Sequence, residues 1–230
     1  MVRGSIIFAA SIGALLLSAC SSGGDLPQAL PDTGPPPAID PKLIRLPFLV
    51  DDYFVPNGCF GDNDCRGEVM RLDSRACADK DPPATLQGVC RLYDYLPLPQ
   101  GAPGFLGYVG ILFQDVGPGG ISDIGLVPGR PVEPGAARVV FWARVGAGLV
   151  DVEFRAGGAN NWKGKTDPNL PYKDGFGVSD TVTLTSRFQE FSIDLSGVSY
   201  DDVVSPFGWS ITSNGSTDAV ELYIADARWE

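Results

Sequence analysis

The sequence predicts an all-β protein, two antiparallel sheets packed face to face, behind a signal peptide and a disordered linker. Three observations carry this. Several segments alternate apolar and polar residues with period two, the mark of half-buried strands. Turn formers are abundant, with 29 Gly and 20 Pro in 230 residues. No stretch of about a dozen residues holds a helical apolar stripe. Strands with one apolar face bury it most simply against a second sheet.

Residues 1–19 carry one cation, Arg3, then an almost unbroken apolar segment from Ile6 to Leu17, then small residues. That is the layout of a secretory signal, and it is too short to span a bilayer. Residues 21–41 (SSGGDLPQALPDTGPPPAIDP) have no apolar periodicity and read as an extended spacer. The tether is set at 20–45 and the folded domain at 46–230, long enough for one well-packed core. The formal charge of -11, with no basic stripe to offset it, excludes a nucleic-acid partner.

Cys59, Cys65, Cys77 and Cys90 fall in one short polar window. Export places them in an oxidising compartment, where an even number predicts two disulfides. Four cysteines allow three connectivities; Cys59–Cys65 with Cys77–Cys90 is favoured because each pair closes a local loop. The rival, four thiolates on zinc, lacks any C-x-x-C pair. Histidine is absent, which excludes Ser-His-Asp and Cys-His engines and His-ligated metals. No GxGxxG, GxxxxGK[ST] or GxSxG occurs, and no catalytic residue is assigned.

The predicted strands follow in order. Over 138–145, Val139, Phe141, Ala143 and Val145 share one face and Val140, Trp142 and Arg144 the other. Val150, Val152 and Phe154 alternate with Asp151, Glu153 and Arg155, and Gly146-Ala147-Gly148 forms the turn between these two strands. Phe191, Ile193 and Leu195 define a third; Phe207, Trp209 and Ile211 a fourth; Val220, Leu222 and Ile224 the last. Asn214-Gly215 is a strong tight-turn signal between the final two.

Two resemblances add to this reading. Leu17-Ser18-Ala19-Cys20 resembles the lipobox of bacterial lipoproteins, implying that Cys20 becomes a diacylated N-terminus, with Ser21 leaning towards the outer membrane. The strings RVVFWARVGAGLVDVEFRAGG, TVTLTSRFQEFSIDLSG and VELYIADARWE, with FLVDDYFVPNGCFGD before them, resemble the galactose-binding-like jelly roll of carbohydrate-binding modules. Phe188 stands where that pattern has Trp, and Ala225-Asp226 where it has paired acids. The resemblance implies a jelly-roll sandwich that binds glycan without catalysis.

Site expectations follow. Asp226 shares strand parity with Leu222 and Ile224, so a regular strand points it inward, where an ionised carboxylate needs a partner. With Asp51 or Asp52 on the neighbouring first strand it would form an oxygen cage for structural calcium. Asp62, Asp64 and Glu68 form a second acidic cluster, read as a solvated disulfide loop. For sugar binding the candidates are Trp142 and Arg144, flanked by Glu153 and Arg155 on the next strand. The long 157–177 segment adds Asn160, Asn161, Trp162, Lys163, Tyr172 and Phe176. A structural or adhesion lipoprotein holding another envelope protein is the alternative. A glycosidase or lyase using two of Glu153, Glu190 and Glu221 is the weakest reading.

Overall fold

The computed structural model describes residues 42–65, 70–73, 89–115 and 124–230. The chain divides into two units, Met1–Ala38 and Ile39–Glu230, and the described residues belong to the second. The signal peptide, Cys20 and the tether through residue 41 lie outside them, as do Cys77, Glu68 and the side chains of Asp64 and Cys65. Cys59 and Cys90 are each disulfide-bonded, but the pairing Cys59–Cys65 and Cys77–Cys90 itself falls outside the described residues.

The fold is a two-sheet antiparallel jelly-roll sandwich, with no α-helix among the described residues. The strands are β1 (Phe48–Leu49), β2 (Val55–Gly61), β3 (Met70–Asp73), β4 (Cys90–Tyr95), β5 (Tyr108–Gln114), β6 (Arg130–Pro131), β7 (Arg138–Val145), β8 (Val150–Gly157), β9 (Gly177–Leu184), β10 (Gln189–Asp194), β11 (Asp202–Val203), β12 (Gly208–Thr212) and β13 (Val220–Trp229). One sheet runs β10-β7-β13-β4-β3, with β1 also on β13; the other runs β2-β5-β12-β8-β9. β6 and β11 form a separate short pair, and Ile44, already buried, bridges Val132 beside it.

All five predicted strands form, but their connections differ from expectation. β7 and β8, joined through Gly146-Ala147-Gly148, belong to opposite sheets, and so do β12 and β13, joined through Asn214-Gly215. Asn214 (φ 51°) and Gly215 (φ 83°) do make the predicted left-handed turn. It closes an arch across the sandwich, not a hairpin. The reason is burial: each partner strand turns an apolar face to the same core, which arching across satisfies and lateral pairing does not require.

That core is aromatic. Phe141 lies 4.3 Å from Phe154 and 5.1 Å from Phe207 between ring centroids, and Tyr93 meets Trp209 edge-on at 4.9 Å. Trp229 stacks on Phe48, and its Nε1 donates to the Pro206 carbonyl at 3.0 Å. Trp209 and Trp229 are fully buried.

The last strand departs from regular alternation. A bulge between Ala225 and Arg228 puts Asp226 at φ 56°, and beyond it Ala227 and Trp229, not the even-numbered residues, face the core. Extra residues of this kind leave side chains re-aimed. Asp226 remains buried, but off the face its parity predicted.

Asp62 also differs from the solvated loop expected of it. It is buried, and its carboxylate accepts hydrogen bonds from the Leu106 and Gly107 amides at 2.6 and 2.7 Å and from the Tyr95 hydroxyl at 2.7 Å. Burial pushes its pKa up, but these donors outweigh it, so the net shift is downward. A lowered folded pKa contributes stability above the unfolded carboxylate range that is lost on acidification. Asp62→Asn is therefore expected to be less stable than wild type at neutral pH. In urea unfolding, that gap should narrow as pH falls below the ordinary carboxylate range.

Candidate functional site

The outer face of the five-stranded sheet is built by register. Phe60 on β2 pairs across from Gly110 on β5; β12 contributes Ser210 and Thr212; β8 contributes Glu153 and Arg155. Their neighbours Ile111, Trp209 and Phe154 point to the core, so the outward set is fixed by the strand period of two. A cleft of about 460 Å³ opens on this face, walled by Phe60 and Tyr108 at one side and by Trp162, Lys163 and Lys165 at the other. A second cleft of about 570 Å³, lined by Leu149, Asp151, Thr183 and Asp218 among others, adjoins it through Thr212.

Glycines set the ring positions. A Cβ on Gly110 would meet the Phe60 ring and the Trp209 carbonyl, the latter at 2.5 Å. A Cβ on Gly158 (φ 84°) would lie 2.5 Å from the Trp162 ring. Each ring rests on bare backbone, as strand and turn glycines permit.

Between the two rings lies Arg155. Its guanidinium carbon is 4.6 Å from the Phe60 ring centroid and 4.7 Å from that of Trp162, a double cation–π clamp. Glu153 beside it accepts from Ser179 Oγ at 3.2 Å and Ser210 Oγ at 3.3 Å, and pairs with Lys163 Nζ at 3.4 Å.

The loop carrying Trp162 is tied down by Asp174, a residue the sequence did not single out. Its fully buried carboxyl accepts from the amides of Ala159 (2.8 Å), Val204 (2.7 Å) and Ser205 (3.3 Å). Burial pushes its pKa up to about 7, against the pull of those three amides.

Of the predicted ligand-binding residues, Trp162 and Lys163 line the cleft. Asn160 borders it, but its side chain serves the loop. Its Nδ2 donates to the Leu170 carbonyl at 3.0 Å, and its Oδ1 accepts from the Asp167 amide at 2.7 Å. Asn161 Nδ2 donates to the Asp174 carbonyl at 3.0 Å. Tyr172 is exposed, with its amide on the Gly125 carbonyl, and Phe176 is buried in the core. Trp142 and Arg144 lie on the other sheet, on β7 between β10 and β13. Arg144 stacks over Tyr223 at 4.4 Å and Phe188 at 5.5 Å, and donates to the Ser186 carbonyl at 2.8 Å. The expected grouping of Trp142 and Arg144 with Glu153 and Arg155 is thus corrected: the arch after β7 puts the two sets on opposite outer faces. The same separation divides Glu153 from Glu190 and Glu221, which lie on β10 and β13 of the other sheet.

Phe60, Tyr108, Lys165, Ser210 and Thr212 were not anticipated. The legible signal was glycine inside a strand, at Gly110 and Gly208, marking close approach of a neighbour.

The calcium ligands are arranged differently from expectation. Arg91 Nη2 lies 2.5 Å from Asp51 Oδ1 and Arg228 Nη1 2.8 Å from Asp226 Oδ2, while Asp52 is exposed. Among the described residues no three Asp, Glu, His or Cys side chains gather to hold a metal. Arginines stand where the cation was expected. The two arginine pairs predict no calcium at Asp51, Asp52 and Asp226; a fall of several degrees in the thermal unfolding midpoint on EDTA chelation, lost in Asp226→Asn, would restore the ion there.

Fold and site together define a β-sandwich with an open aromatic and polar cleft on one outer face. No protein-family model matches the chain, and no curated protein matches its sequence. Among solved structures it is similar to a family 11 carbohydrate-binding module from Clostridium thermocellum in complex with a β-1,3-1,4-mixed-linked tetrasaccharide. That match has 9% identity and a TM-score of 0.42, and covers 77% of this chain and 94% of that one. It is also similar to a family 29 carbohydrate-binding module variant complexed with cellulohexaose (10% identity, 80% and 89% covered, TM-score 0.37). A third similarity is to an agarase (11% identity, TM-score 0.38), covering 77% of this chain and 24% of the agarase.

Proposed function

We propose that this chain is a non-catalytic glycan-binding module whose ligand lies across the outer face of the five-stranded sheet. The observation that carries the reading is the cleft itself. Phe60 and Trp162 supply flat rings, Arg155 a cation held between them, and Ser210, Thr212 and Glu153 hydroxyl and carboxylate groups along the floor. Sugars need this pairing of apolar faces with directed polar groups. The adjoining second cleft extends the track beyond a single ring. Glu153, the carboxylate of this cleft, lies on the opposite sheet from Glu190 and Glu221 and pairs with neither across it, which favours holding over hydrolysis here.

The export signal and lipobox-like Cys20 complete the proposal. The module would be tethered by lipid through an extended spacer, in the outer membrane, where two or more acyl chains anchor stably. Palmitate incorporation lost in Cys20→Ser would support the anchor. For the function, the purified protein is screened against a panel of soluble polysaccharides. Binding that is competed by oligosaccharide and produces no cleavage is the expected result. Release of reducing ends would overturn the non-catalytic reading, and absence of any glycan binding would overturn the function.

A further inference from the structure

We infer that the glycan held in this cleft is anionic, a polymer bearing uronate carboxylates or sulfate esters, with Arg155 as the group that receives the anion. The inference rests on the glycan-binding reading and goes beyond it to the class of ligand.

Arg155 is 5% exposed. Two aromatic rings pack against its guanidinium, and among the described residues it makes neither a hydrogen bond nor an ion pair; Nε is buried without a partner. Its four Nη N–H donors, in the rigid guanidinium plane, are left to address the open edge of the cleft. Burial pulls its pKa down to about 10, outweighing the opposing charge of nearby Glu153, which makes no direct ion pair with it. A neutral hydroxyl would satisfy a donor and leave the charge unanswered. A carboxylate or sulfate answers both, in the two-point geometry a guanidinium favours.

The surroundings agree. Trp162-Lys163-Gly164-Lys165 forms one tight turn, with the Lys165 amide on the Trp162 carbonyl at 2.9 Å and both central residues at positive φ (50° and 75°). Glycine suits such a position and lysine does not, so Lys163 carries a local conformational cost. Its ammonium lies 5.4 Å from the Trp162 ring centroid. Glu153, the carboxylate of the cleft, is already engaged by two serines and Lys163. The cleft is thus net cationic in a chain of charge -11. With a screening length of about 8 Å at physiological salt, an anionic group beside Arg155 feels these local cations first, and Asp151 and Asp218 of the adjoining cleft disfavour it at the other end of the track.

The test titrates the purified protein with polygalacturonate, dextran sulfate, neutral dextran and mixed-linkage β-glucan at low and high salt. At least one polyanion is expected to bind about tenfold or more tightly than the neutral polymers, and to weaken with salt. The two polyanions separate carboxylate from sulfate recognition. Lys163→Asn relieves the left-handed strain, so its melting temperature should hold or rise while polyanion affinity falls. Lys165→Glu, at an exposed residue of the cleft wall, should weaken polyanions by a larger factor than neutral glycans. Equal, salt-independent binding of neutral and charged polymers, with both variants silent, would overturn the inference and leave the glycan-binding reading standing. No binding to any polymer would overturn both.

Discussion

Replacing Asp174 by alanine is expected to lower the unfolding free energy by about 3–5 kcal/mol, since each buried amide left without an acceptor costs about 1–3 kcal/mol. Three amides lose their acceptor at once: Ala159 at the base of the Trp162 loop, and Val204 and Ser205 ahead of β12. Urea unfolding measures the loss. The same group predicts a pH dependence of definite sign. An unfolded aspartate releases its proton near pH 4, whereas burial raises the folded carboxyl to about 7. Between these values the folded state binds the extra proton. Stability is therefore full below the unfolded pKa and is lost as pH rises through the folded one. The three-unit gap corresponds to about 4 kcal/mol at most. Asp174→Asn, which cannot titrate, should be flat across this window. The window for Asp62 lies at lower pH and runs in the opposite direction, so the two are separable. A wild-type profile that does not fall between pH 4 and 7 would mean that the three amides hold the carboxylate ionised.

Trp162→Ala is expected to weaken glycan binding by about 10- to 100-fold, the effect of removing a central aromatic anchor worth about 1.4–3 kcal/mol. Its melting temperature should barely change, because the ring covers Arg155 and Gly158 and belongs to no core cluster. Trp209→Ala supplies the contrast: fully buried against Tyr93, it should cost about 3–5 kcal/mol of stability. Gly158→Ala, at φ 84° and with the ring 2.5 Å from the new methyl, should reproduce the binding loss by unseating Trp162, with an added stability cost. Comparable destabilisation by Trp162→Ala and Trp209→Ala would make Trp162 a structural residue and remove the main support for the cleft as the binding site.

Legibility in the sequence followed locality. The alternation of Val139, Phe141, Ala143 and Val145, and of Trp209 and Ile211, is a property of neighbouring residues, and it located those strands and their inward faces. Tyr108–Gln114 escaped notice because both faces are buried, so its run is nearly continuous and lacks a period. Asp226 was misplaced by a bulge that leaves no mark on composition or spacing. Asn160 and Asn161, polar and in a loop, look like ligand donors in one dimension. In the folded chain their amides fasten the loop to itself.

By itself, the amino-acid order determined that this is a strand sandwich, which residues of the recognised strands face inward, and that Trp162 and Lys163 sit in a presented loop. Which strands lie side by side was decided only in three dimensions. The turns after β7 and β12 specify a local reversal, and a reversal serves a hairpin and an arch equally well. The shared apolar core selected the arch. That choice moved Arg155 away from Trp142 and set it between Phe60 and Trp162, residues far apart in the chain that meet because β2, β5, β12 and β8 share one sheet.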